Sequence, residues 1–197
     1  MKENNMNLNE LRDKAYQCAI AHGWHEEEHS DEHLLCLIIS ELMEAVQADR
    51  KGKRAKPDYY KTKIENSLIC KGLDKTISKE IGYEVAYGEW IKDTVEDELA
   101  DACIRLLDIA GLRKIEIEVL PMRLVDGVTF TEFCYELSGR ISNQAKGNSI
   151  WLKNMIDHVI GLIFAWCAYN NIDILWHVKQ KMMYNELRPY KHGNKIY

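Results

Sequence analysis

Only three prolines, at positions 57, 121 and 189, interrupt the 197 residues, and glycines number eleven. Proline lacks an amide hydrogen and clashes with the preceding helical turn, so a chain this poor in breakers is free to run as long helices. Apolar residues follow helical spacing over most of its length. Leu8, Leu11, Ala15, Cys18 and Ala19 make a first amphipathic stripe. A second helix is expected from Ser30 or Asp31, either suited to cap it, to about Arg50. Two shorter helices are expected within 59–88, flanking Lys71-Gly72, and a third long helix from about Trp90 to Ala110, stopped by Gly111. Ile115, Ile117 and Val119 then alternate ahead of Pro121, and Asp126-Gly127 is a turn signal, so a short β-hairpin could form there. A helix near 130–142, a loop over 144–149 and two helices at about 150–169 and 172–188 complete the chain. The expected fold is all-α, an antiparallel helical bundle forming a single domain over 1–197.

Apolar residues make up 46% of the chain and charged residues 29%, enough for a buried core. The net charge of −5 argues against a generally nucleic-acid-binding surface. Arg50, Lys51, Lys53, Arg54 and Lys56 form a local basic cluster without interleaved aromatics, which fits a solvated loop; a contact with a triphosphate stays open. The opening MKENNMNLNE reads as neither a signal nor a transit peptide. The most apolar run, VIGLIFAWCAY, has 11 residues against the roughly 20 of a membrane span, so a core helix and no membrane partner are expected. Six cysteines (Cys18, Cys36, Cys70, Cys103, Cys134 and Cys167) form no CxxC pair and read as reduced thiols of a cytoplasmic protein.

Two carboxylate pairs carry the chemistry. Glu41 and Glu44 in ISELMEAV stand three residues apart, on one helical face shared with Leu37, Ile38 and Ala45. An unpaired carboxylate in an apolar stripe is costly to bury, and a divalent cation would remove that cost. Glu98 and Asp101 in DELADACIRLLD repeat the spacing. Facing one another, the four would form an all-oxygen site suited to Mg²⁺ or Mn²⁺. Alternatively Thr94, Asp97, Glu98, Asp101, Arg105 and Asp108 could be the wet side of their helix. On the last helix Lys181, Tyr184, Asn185 and Arg188 share a face that suits phosphate oxygens, or equally a solvated cationic helix end.

In these segments the chain resembles the MazG-like members of the all-α nucleoside triphosphate pyrophosphohydrolases, the superfamily of dimeric dUTPases and dCTP pyrophosphatases. The matching stretches are ISELMEAVQADRKGK, DELADACIRLLDIAG and NNIDILWHVKQKMMYNELRPYKHGNKIY, somewhat under half the chain, with Trp24 upstream. The resemblance implies a helical bundle, a homodimer or homotetramer, and Mg²⁺-dependent cleavage of a nucleoside triphosphate to monophosphate and pyrophosphate. It makes Glu41, Glu44, Glu98 and Asp101 metal ligands, with Glu41 or Glu44 taking a proton from water. Lys181, Asn185, Arg188 and Lys191 would hold phosphates. Trp24 and Tyr190 would lie near the base, Trp24 being otherwise a core tryptophan. Ser40 stands where the family commonly has a leading glutamate, and relative to the family the chain carries insertions at about 51–89 and 113–148.

Rival readings exist. His25-Glu26-x-x-His29 matches the zinc-protease signature, but its surroundings are polar and precede a helix cap. A di-iron bundle would need two ExxH motifs on core helices, and the chain has one, elsewhere. A nucleotide-binding or helical interaction protein without turnover is the main alternative, and Ser40 lends it support.

Overall fold

The structure, a computed structural model, describes residues 7–68, 75–124, 127–143 and 149–194. Among them eight helices of twelve residues or more follow in order: α1 Leu8–Ala21, α2 Asp31–Arg50, α3 Pro57–Leu68, α4 Lys75–Trp90, α5 Val95–Leu112, α6 Phe130–Ser142, α7 Ser149–Tyr169 and α8 Ile174–Leu187. No strand occurs among the described residues, and the fold is all-α. Five helices begin at a side chain that accepts an otherwise orphaned backbone N–H: Asn7, Ser30, Thr94, Thr129 and Asp173.

Helix α5 is the axis of the bundle: twelve of its eighteen residues are buried, where a surface helix would bury one stripe. Helices α1, α2, α7 and α8 pack around it. Asp31 at the start of α2 pairs with Arg113 just past the end of α5, while Glu44, late in α2, meets Glu98 at the start of α5. The two helices therefore run antiparallel. Gly111 lies inside α5 rather than stopping it: a Cβ there would stand 2.5 Å from Cβ of Tyr16, so its absence lets α1 close on α5. The helix ends instead at Leu112, before Lys114 takes a left-handed φ of 55°. It also starts later than the sequence suggests. Trp90 closes α4, Asp93 turns with φ 58°, and Thr94 caps the new helix.

The expected hairpin is replaced by an extended segment. Ile115 and Ile117 are buried and Glu116 and Glu118 exposed, so the alternation does report one buried face. Its backbone groups, however, bond to side chains. The Asn9 amide donates to the Ile117 carbonyl and accepts from its N–H, Arg12 donates to the Ile115 carbonyl, and Asp157 accepts from Glu118 N–H. Asp126, Lys71-Gly72 and residues 144–148 lie outside the described residues.

Helices α3 and α4 form a hairpin with its own hydrophobic cluster, Tyr60, Tyr83 and Tyr87 with Ile91, set against α8. Helix α7 is long and apolar enough to cross a membrane, yet Ile156, Val159, Ile160, Ile163 and Cys167 belong to the main hydrophobic core. The five described cysteines are free, and Cys103, Cys134 and Cys167 are buried; Cys70 lies outside the described residues.

His177 on α8 is buried, and among the described residues its Nδ1 has no hydrogen-bond partner. Burial pushes its pKa down from 6.5 to about 4, with Asp173 opposing weakly. The unfolded chain therefore takes up a proton near pH 6.5 that the folded chain refuses until about pH 4. Stability is lost as pH falls through that window, on the order of 3 kcal/mol from this one group. Acid unfolding followed by circular dichroism should show a shallower loss between pH 6.5 and 4 in His177→Leu than in the parent.

Candidate active site

One cavity of about 380 Å³ opens between α2, α5 and α8, with the turn after α1 on its rim. Helix periodicity presents Glu41 and Glu44 from α2 and Glu98, Asp101, Arg105 and Asp108 from α5 to this space. Carboxylate oxygens of Glu41, Glu44 and Glu98 lie within 4.8 Å of one another. Asp101 lines the same cavity but is held elsewhere, its Oδ2 2.6 Å from Lys181 Nζ. The structure thus gathers three of the four expected ligands and ties the fourth to a lysine. Glu98 and Asp97 are buried, so this stretch of α5 is not the wet side of a helix.

The electrostatics of the cluster follow from burial. Glu98 is pushed up to about 8 by loss of solvent first and by the Asp97 charge second. Glu41 is raised by burial too, against the pull of Arg105, whose Nε donates to Glu41 Oε1 at 2.6 Å. Among the described residues Lys92 pairs with Asp93, Arg105 with Glu41, Lys181 with Asp97 and Asp101, and Lys191 with Glu26, and no ion pair reaches Glu44 or Glu98. Three carboxylates crowded together, an all-oxygen donor set of which two carry no ion pair, fit a hard dication.

The cationic face of α8 divides. Lys181 is 5% exposed, and its ammonium bonds to both Asp97 (3.0 Å) and Asp101 (2.6 Å). Burial disfavours that charge, but the two aspartates outweigh it and hold the pKa above the usual lysine value. Its ammonium is an internal counter-ion to two aspartates, at the edge of the cavity that Lys181 also lines. Asn185, Arg188 and Lys191 line the same cavity, and among the described residues Asn185 Oδ1 is buried without a hydrogen-bond partner.

The far rim joins the two ends of the helical sequence. His22 Nε2 contacts the Arg188 carbonyl at 3.0 Å, and Lys191 N–H donates to the His22 carbonyl. Tyr190 lies over Gly23, whose φ of 78° and missing Cβ accommodate the ring; Tyr190 is not among the residues facing the cavity. Trp24 does face it, edge-on to His192 at 5.1 Å.

The HExxH residues sit in the turn between α1 and α2, not on a helix. His25 pairs with Asp108 at 2.8 Å, His29 stacks on His33 at 4.2 Å, and Glu26 turns toward Lys191. These separate partners are not a zinc-protease arrangement. In the basic loop, Arg54 pairs with Asp49 and Ala55 N–H donates to buried Glu96, so the loop is tied down beside α5.

Sequence reasoning gave no role to Asp97, Arg105 or Tyr87. Tyr87 donates its hydroxyl to Asp97 and stacks on Tyr184, and no spacing pattern announces it. Arg105 was legible only as a cation one turn beyond Asp101. Comparison with known proteins finds no family model, no curated protein and no solved structure that matches this chain.

Proposed function

We propose that this chain is a Mg²⁺-dependent nucleoside triphosphate pyrophosphohydrolase of the MazG-like kind, with Mn²⁺ an alternative cation. The observation that carries the reading is the convergence of Glu41, Glu44 and Glu98 on one cavity that Asn185, Arg188 and Lys191 also line. Glu41, Glu44, Glu98 and Asp101 would hold the cation. When bound, it supplies positive charge to the triphosphate and makes a nearby water more acidic.

The remaining work falls to side chains. Arg188 can take phosphate oxygens in a bidentate grip, and Lys191, paired with Glu26 at 3.6 Å, adds a point charge. Asn185, with its amide at the cavity wall, orients the same group. Glu44 is exposed and carries no cation partner among the described residues, so it is the carboxylate placed to accept the proton of the attacking water. Glu41 is committed to Arg105. The net reaction consumes one water and yields a nucleoside monophosphate and pyrophosphate. Trp24 offers an aromatic face or edge to the base. The same resemblance makes a homodimer or homotetramer the expected assembly.

An end-point assay for pyrophosphate across canonical and modified ribo- and deoxyribonucleoside triphosphates tests this reading. Turnover should vanish on chelation with EDTA and return on adding excess Mg²⁺. Ser40 is exposed at the cavity wall, where a further carboxylate would otherwise stand, and this favours one rival: a nucleotide-binding protein without turnover. Nucleotide binding with no pyrophosphate from any substrate would establish the rival in place of the enzyme.

A further inference from the structure

Lys181 poses a physical problem for any cation at this site. Its ammonium, almost wholly buried, bonds to Asp101, the ligand that has yet to join the other three carboxylates. A buried ammonium left without a counter-charge is strongly disfavoured, so Asp101 could not leave it unless a second anion stayed behind. Asp97 is that anion. Its Oδ2 lies 3.0 Å from Lys181 Nζ, and its side chain is fully buried, beyond competition from water.

Asp97 is itself fixed on three sides. Its Oδ1 accepts the Tyr87 hydroxyl, its Oδ2 accepts the Asp93 backbone N–H at 3.0 Å, and α5 holds its backbone. Burial pushes the Tyr87 phenol far up, so it stays a donor. The Tyr87 ring stacks on Tyr184 of α8 at 4.5 Å, one turn from Lys181, while Tyr83 donates to the Gln180 carbonyl. The α3–α4 hairpin therefore grips both the aspartate and the helix that carries the lysine.

We propose that Asp97, fixed by Tyr87, is a positioning residue that retains Lys181 beside the carboxylate cluster and so frees Asp101 to ligate the cation. The inference rests on the metal site proposed above, and it gives the segment between α2 and α5 a task in that site. Asp93, Asp97 and Glu98 also bring carboxylate oxygens within 4.8 Å of one another. In this assignment Asp97 stays with Lys181 and acts through it; an Asp97 that ligated the cation itself would give no recovery when Asp97→Asn is combined with Lys181→Met.

Mn²⁺ binding, followed by the electron paramagnetic resonance of the free ion, tests this on the full chain without substrate. Asp97→Asn leaves Lys181 with Asp101 alone, and Mn²⁺ affinity should fall by about ten- to a hundredfold. Tyr87→Phe keeps the ring stack and loses one hydrogen bond, so about a three- to tenfold loss is expected. The decisive variant is Asp97→Asn combined with Lys181→Met. With the competing ammonium gone, Asp101 is released and most of the lost affinity should return, whereas damage to the fold would only deepen. Equal affinity in Asp97→Asn and the parent, or no recovery in the double variant, overturns the proposal. Where Asp97→Asn does not fold, unchanged affinity in Tyr87→Phe overturns it alone. A parent chain that binds no Mn²⁺ overturns the metal site as well; a parent that binds it, with variants indistinguishable from it, overturns only this inference.

Discussion

Glu98→Gln is expected to cut pyrophosphate release by roughly 100- to 1,000-fold while leaving the helical circular dichroism and the metal-free melting temperature in place. The split follows from the Glu98 environment. Burial and Asp97 raise its pKa to about 8, so at neutral pH the metal-free protein already holds it largely protonated, and a neutral amide of the same shape replaces it without new strain. A cation, by contrast, needs the carboxylate. The variant should therefore also lose any rise in melting temperature that Mg²⁺ gives the parent. Turnover at the parent level would remove Glu98 from the site.

Lys181→Met is expected to show the opposite pattern. Removing the ammonium leaves Asp97 and Asp101 facing one another with no cation between them, and breaking a buried pair in this way costs about 3–5 kcal/mol. Urea unfolding without metal should reveal most of that loss. Added Mg²⁺ should restore part of it, because a dication near Asp101 supplies the missing positive charge. An unfolding midpoint equal to the parent's, with and without Mg²⁺, would show that the ammonium is not the counter-ion its contacts imply.

How much of this was legible in the sequence depends on whether helix periodicity carries the information. Glu41 with Glu44, and Glu98 with Asp101, were readable because a spacing of three fixes a shared face whatever the fold. The same rule put Asn185 and Arg188 together on α8. It also placed Lys181 with them, yet periodicity gives a direction around one helix and not what lies opposite. The carboxylates that bury Lys181 stand 84 and 80 residues earlier in the chain, so its role as an internal counter-ion was invisible. Asp97 was hidden for a related reason: it sits beside Glu98, off the register of the metal pairs, and faces the α8 side. Tyr87 belongs to no motif at all. The missed hairpin is a different failure. Alternation at Ile115 and Ile117 signals one buried face, which an unpaired segment shows as well as a strand in a sheet, and here Asn9 and Arg12 satisfy the backbone in place of a neighbouring strand.

The rim closure between His22 and Arg188 joins positions 166 residues apart in sequence. During synthesis the stretch after the first helix must wait, solvent-facing, until nearly all of the chain described here has left the ribosome. Contacts of such long range are made late and contribute little to the early core. The entrance is thus assembled late, and it is held by hydrogen bonds, the Tyr190 ring over Gly23, the Trp24–His192 contact and the Glu26–Lys191 pair. The doorway to the acidic interior is therefore a joint between the two ends of the described chain, so a truncation at either end would open it while leaving the contacts of α5 with α2 in place.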